Sequence, residues 1–271
     1  MFALPIFGFF IAAATARPSD LGPRAVTNLP ANAKFDYQIG GAYTPASDVK
    51  IVTRDRSNSP VSGLYNICYV NAFQTQVAER DFWLNNSTRE ALIAKWNGQY
   101  LEDPEWPGEY MFNTTTAANR QALATIVEDW IKGCADKGFN AIEPDNLDTF
   151  TRSHDLISPD DNLQYAKLFT DYAHSINLAV GQKNAGEELG NLGQSIAGFD
   201  FAIAEECQAN SNSTTGYDEC ATYTDVYGNE VLEIEYDVEA VWQEACNKRG
   251  NIISIILRDT AVSPNGLYKE C

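Results

Sequence analysis

From Phe35 onward, short apolar runs alternate with longer segments of helical periodicity, and no glycine-rich phosphate loop joins any run to the helix after it. Strand–helix alternation predicts a mainly parallel sheet. Without a phosphate-binding turn, a closed barrel is a better expectation than an open nucleotide-binding sheet. Candidate strands are Phe35–Ile39, Val49–Thr53, Leu64–Val70, Tyr110–Asn113, Ala141–Glu143, Ala179–Gln182, Phe201–Glu205, Leu232–Tyr236 and Ile252–Leu257. Helical spacing marks Ala117–Lys137, Asp160–Ile176 and Val238–Lys248, with Gly138 as a stop for the first and Asp160 as the cap of the second. The expected fold is α/β, a single-domain (β/α)8 barrel over 35–271, preceded by an irregular lead-in over 17–34.

Ahead of the lead-in, Phe2 to Ala14 is apolar or small throughout, and Ala14-Thr15-Ala16 has the small residues of a cleavage site. Residues 1–16 are therefore expected to be a signal peptide, although no Lys or Arg follows Met1. The alternative is an apolar tail or membrane-surface anchor. The run is too short to span a bilayer. Six cysteines at wide spacing, none in a CxxC pair, suit disulfides in an oxidising compartment better than zinc. Sequons begin at Asn85, Asn86, Asn113 and Asn212. Together these features predict a secreted glycoprotein.

A formal net charge of −18 repels nucleic-acid phosphates and anionic lipid, and favours neutral or cationic partners. The same acidity also serves simple solubility. Nucleic-acid and membrane partners are not expected, and the chain is expected to be monomeric.

The chemistry-bearing residues are acids at strand ends, where a barrel places its catalytic groups. Glu143 and Asp145 share one face of their strand by alternation, and Pro144 between them cannot donate to a ladder. A turn or capping role is the alternative, and it suits Asp148 better. In Phe201–Glu205 the large Phe201 and Ile203 are expected to face the helices, and Ala202 and Ala204 the axis. That phase would turn Glu206 inward and Glu205 sideways or outward. The same reading aims Glu233 and Glu235 inward and puts Lys183 near the rim. Trp106 in Glu105-Trp106-Pro107-Gly108 is a candidate sugar platform, whereas most other aromatics belong to the core. His174 reads as structural. No G-x-S-x-G, H-E-x-x-H or P-loop offers another mechanism. No cofactor is expected, and although acids of this kind can bind Mg or Ca, no metal site is assigned.

Gly138-Phe139-Asn140-Ala141-Ile142-Glu143-Pro144-Asp145-Asn146-Leu147-Asp148 resembles the signature of the endo-α-1,4-polygalactosaminidases, glycoside hydrolase family 114. Further pieces follow in the family's order: Asp36-Tyr37-Gln38-Ile39, Ile67-Cys68-Tyr69, Trp106-Pro107-Gly108-Glu109, Gly181-Gln182-Lys183-Asn184 and Glu205-Glu206-Cys207. The resemblance covers roughly Phe35 to Asp259. It departs at Tyr110-Met111-Phe112-Asn113, where the pattern has Trp-Leu-Asp, and at Ala204, where it has Asn.

The resemblance implies a hydrolase of α-1,4-linked galactosamine polymers, with such a polysaccharide as its partner. It nominates Glu143, Asp145 and Glu206 as catalytic acids. Asp36, Tyr69, Trp106, Asp148, Lys183, Glu205 and Glu235 are expected around the substrate. A non-catalytic glycan-binding barrel, or a hydrolase of another amino-sugar polymer, are the rival readings. Among the cysteines, Cys207 and Cys220 flank a short polar loop and are expected to pair. Cys246 with Cys271 would tie down the C-terminus, which leaves Cys68 with Cys134.

Overall fold

The computed structural model describes residues 26–271. The expected signal peptide and the start of the lead-in lie outside the described residues. Eight strands run parallel in chain order: β1 (Phe35–Gln38), β2 (Ile51–Asp55), β3 (Tyr65–Asn71), β6 (Ala141–Asp145), β7 (Ala179–Lys183), β8 (Phe201–Glu205), β9 (Val231–Tyr236) and β10 (Ser254–Arg258). A small hairpin, β4 (Lys95–Trp96) and β5 (Gln99–Tyr100), interrupts the run between β3 and β6. β11 (Tyr268–Glu270) folds back antiparallel on β10. Sequential parallel pairing of this kind is the TIM-barrel arrangement.

The barrel departs from strict (β/α)8 form in its first two crossovers. Residues 39–50 and 56–64 are turns and extended chain, so β1–β3 are joined without helices. Tyr110–Asn113 is not a barrel strand either. It pairs only through isolated bridges to Gln74, Ile93 and Glu102, in the excursion above β3. The seam between β10 and β1 is closed by a side chain: Arg258 donates to the Tyr37 carbonyl and lies 3.3 Å from Asp36.

Helix Ala117–Lys137 forms as its spacing predicts, with Thr116 capping its start and Gly138, at φ 94°, ending it in the left-handed region. Helix Pro159–Ser175 is capped by Ser158, not Asp160. The Ser158 hydroxyl accepts from the Asp161 N–H while the Asp161 carboxylate accepts from the Ser158 N–H, a reciprocal cap one residue pair earlier than expected. All three expected disulfides are present: Cys68–Cys134 ties β3 to the first long helix, Cys207–Cys220 closes the loop after β8, and Cys246–Cys271 holds the C-terminus.

The phase of β8 and β9 is the main correction. Phe35, Tyr37, Ile67, Phe201, Ile203, Leu232 and Ile234 form one buried cluster at the barrel axis, whereas Ala202 and Ala204 join the cluster beneath the helices. A small barrel has no pore, so bulky side chains must fill its axis. Gly181 makes that filling possible, because a Cβ there would collide with Phe201 and Ile203. Consequently Glu233 and Glu235 point into the helix layer and Glu205 points inward, the reverse of the expected arrangement.

Candidate active site

Lys183, at the end of β7, sits at the centre of three carboxylates, two from β6 and one from the end of β8. Its Nζ lies 3.0 Å from Glu143, 3.3 Å from Asp145 and 3.2 Å from Glu205. Inward-facing parity at the ends of β6, β7 and β8 produces this convergence. Pairing between β6 and β7 is recorded only at Ala141 and Ile142, so the ladder lapses before Pro144, which has no N–H.

Each acid also carries a tyrosine. Tyr37 donates to Glu143 at 2.6 Å, Tyr69 to Asp145 at 2.7 Å and Tyr236 to Glu205 at 2.6 Å. Asn184 adds a bond to Glu205 at 3.0 Å through its side-chain amide. Sequence reasoning found Tyr69 but missed Tyr37, Tyr236 and Asn184. Period-two placement of Tyr37 on the axial face of β1 was the one signal available; Asn184 lies past its strand and follows no period.

The acids differ in reach and in proton affinity. Glu143 is fully buried, while the side chains of Asp145 and Glu205 retain 17% and 23% exposure. Only the latter two can meet a substrate. Burial raises the Glu143 carboxyl to about 6 despite Lys183, and its Oε2 has no hydrogen-bond partner among the described residues. Asp145 is also pushed up by burial, but the Lys183 charge, the Tyr69 hydroxyl and the Asn146 N–H together hold it below its ordinary value. Lys183 is desolvated, yet the surrounding carboxylates raise its proton affinity well above normal. The ammonium already fills the point where these acids could share a cation.

The other predicted residues are spread around this centre. Glu206 occupies a left-handed turn, φ 56°, and is exposed; the expectation that it points inward is corrected. Partial desolvation by its neighbours and the charges of Glu205, Asp237 and Glu105 raise its carboxyl. Asp36 faces away from the axis and is held in the seam by Gln38, Tyr43 and Arg258, so it does not reach the cleft. Glu235 is buried behind the sheet, accepting from the N–H groups of Gln208 at 2.8 Å and Ala209 at 3.3 Å. Glu233 pairs with Arg249 in the same layer. Asp148 and Trp106 do lie on the catalytic face. Asp148 is paired to Arg152 at 2.8 Å, and Trp106 is 57% exposed in a loop whose N–H groups bind Asp103. Among the sequons, Asn85 and Asn212 are exposed, and Asn86 and Asn113 are half-buried. Asn86 accepts from Thr88 and Arg89 as a helix cap.

Comparison with known proteins identifies the family and the fold. The family model of glycoside-hydrolase family GH114 matches residues 15–271. The crystal structure of Aspergillus fumigatus Ega3 in complex with galactosamine superposes with a TM-score of 0.66 at 22% identity, covering 89% of this chain and 96% of that one. The glycoside hydrolase domain of PelA from Pseudomonas aeruginosa superposes with a TM-score of 0.55 at 14% identity, covering 87% and 97%. No curated protein sequence matches the chain.

Proposed function

Because the chain belongs to glycoside-hydrolase family GH114, we propose that it is an endo-acting hydrolase of α-1,4-linked, galactosamine-containing polysaccharide, with Asp145 and Glu205 as its catalytic pair. The observation that carries this reading is the shared contact with Lys183. Two partly exposed carboxylates on adjacent sides of one buried ammonium provide the two groups that glycosidic hydrolysis needs. Asp145 is held ionised by that ammonium and by Tyr69. It attacks the anomeric carbon while Glu205 gives its proton to the departing glycosidic oxygen. Water then attacks the glycosyl ester, and Glu205 takes back a proton. Both acid oxygens contact one Nζ, so their separation cannot exceed those two contacts end to end. Contacts of 3.3 and 3.2 Å put that limit at the lower edge of the ~6.5–9.5 Å inverting range, which favours the ~5–5.5 Å spacing of a retaining pair.

Glu143 positions this pair through Lys183 and does not touch substrate. Glu206, with Glu105 and Asp237 near it, forms an acidic rim suited to the amines of a deacetylated polymer. A galactosamine ligand in the related Aspergillus structure points to the same sugar. Export, glycosylation at the exposed sequons and a monomeric state complete the reading. No helix among the described residues is long and apolar enough to cross a membrane.

The test is to incubate the protein with galactosamine polymer, chitin and partly deacetylated polymers and to size the products. Internal cleavage of the galactosamine polymer with the α-anomer formed first is the expected result. Cleavage of chitin alone would transfer the mechanism to another sugar, and binding without cleavage would leave a lectin-like barrel. Raising the salt concentration should raise KM on deacetylated polymer and leave it unchanged on acetylated polymer, because exposed charges are screened beyond ~8 Å at physiological ionic strength.

A further inference from the structure

Trp96 and His154 come from different segments and meet on the face of the barrel that holds Asp145. Trp96 is carried by the β4–β5 hairpin, whose turn residues Asn97 and Gly98 adopt φ 50° and 80°. This geometry matches a tight two-residue hairpin turn. His154 lies in the loop after β6, where it and Asp155 adopt left-handed φ of 54° and 59°. The two rings stack with centroids 5.3 Å apart and planes 23° from parallel. Trp96 remains 42% exposed, and His154 is exposed as well.

The pair has a firm mechanical link to the catalytic centre. Arg152, two residues before His154, binds Asn146 at 2.9 Å, Asp148 at 2.8 Å and Asp103 at 2.8 Å. Asn146 directly follows Asp145, and Asp103 shapes the loop that bears Trp106. Two consecutive non-glycine residues in left-handed conformation are costly, and such strain persists where the surrounding structure holds it in place. Packing alone does not call for a tryptophan here, because a large apolar ring half in water gains little from burial.

We propose that the Trp96–His154 stack is a distal subsite, outside the cleavage centre, that binds one amino-sugar unit of the same polymer chain through the open face of the indole. His154 covers one face and keeps the ring from rotating. The other face offers a flat apolar surface to the C–H face of a pyranose and a negative quadrupole to its ammonium group. Asp155, exposed and next in the chain to His154, is the acid at hand for the amine. This inference rests on the galactosamine-polymer reading above. It adds that the enzyme holds its substrate over a span longer than the cleavage site, so that chain length is felt in binding and not in chemistry.

The test uses the full-length protein and the variants Trp96→Ala, Trp96→Phe and His154→Ala, assayed on long galactosamine polymer and on short galactosamine oligomers. Trp96→Ala should raise KM on the long polymer roughly tenfold with kcat unchanged, and should leave short oligomers unaffected. Trp96→Phe should recover most of the loss, and His154→Ala should fall between. Melting temperature is measured alongside, since a purely structural stack would lower it without separating long from short substrates. Unchanged KM on long polymer, or an equal rise on both substrates, overturns the subsite while leaving the hydrolase assignment standing. Failure of the unaltered protein to cut galactosamine polymer overturns both.

Discussion

Tyr236 on β9 donates its hydroxyl to Glu205 on the neighbouring β8 at 2.6 Å, and this bond helps hold Glu205, and not Glu206, over the barrel axis. The two glutamates are adjacent in sequence but opposite in environment. One is gripped by Tyr236, Asn184 and Lys183, while the other turns outward at φ 56°. The relationship leads directly to a test of which glutamate acts.

Asp145→Asn and Glu205→Gln should each lower kcat by ~10²–10⁴-fold with little change in melting temperature, since each keeps side-chain shape and removes an ionisable group. Glu206→Gln should retain most of kcat and show its effect in KM on the deacetylated polymer. Reducing-end release and thermal unfolding measure both quantities. Full loss in Glu206→Gln with normal activity in Glu205→Gln would reverse the assignment.

Lys183→Met removes the one cation among three acids. The variant should lose about 3–5 kcal/mol of stability, the usual cost of leaving a buried charge unpaired. Its remaining activity should show an acid limb moved to higher pH, because Asp145 no longer has the ammonium that holds it low. Denaturant titration and a kcat/KM profile against pH would check this. An unmoved acid limb would remove Lys183 from the electrostatics of Asp145.

Stability should be greatest in mild acid. Burial raises Glu143 to about 6, Glu219 to about 7 and Glu235 to about 8, from an ordinary value of 4.5. Neighbouring acids add to each shift: Asp145 for Glu143, Glu187 and Glu188 for Glu219, and Glu233 for Glu235. A carboxyl raised on folding binds its proton more tightly in the native state. Its contribution is therefore complete below 4.5 and is lost as pH climbs through the folded values. Asp145 acts in the opposite sense, but only below its ordinary 3.8. Melting temperature should fall between pH 5 and pH 8; a rise over that interval would contradict the shifts.

Replacing Cys207 and Cys220 together by serine opens the loop that follows the catalytic strand. The expected cost is roughly 3 kcal/mol, the entropy estimate for a loop of this length. Activity should fall as well, because Glu205 and Glu206 immediately precede the bridge and Glu235 anchors the same turn at Gln208 and Ala209. Urea unfolding and polymer hydrolysis, each with and without reductant on the unaltered protein, would test the pair of effects. Lost stability with intact kcat would show that the bridge holds the loop without positioning the acid.

Local pattern alone carried a large part of this protein. Helical spacing located Ala117–Lys137, and alternation put Glu143 and Asp145 on one face. The short polar loop marked Cys207 and Cys220 as a pair. Each of these depends on neighbours within a few residues, which the chain specifies directly. The phase of β8 and β9 did not, because alternation has two solutions and only the space around the axis chooses between them. Phe201 and Ile203 turn inward because the barrel must be filled and Gly181 across from them leaves room. That choice brings Glu205 to Lys183 and sends Glu235 behind the sheet. The same holds for Tyr37, Tyr236 and Lys183, residues remote in sequence that become a proton-holding cluster only when strand ends converge. Local periodicity determined most of the elements and the two acids of β6; closure of the barrel decided which acids meet.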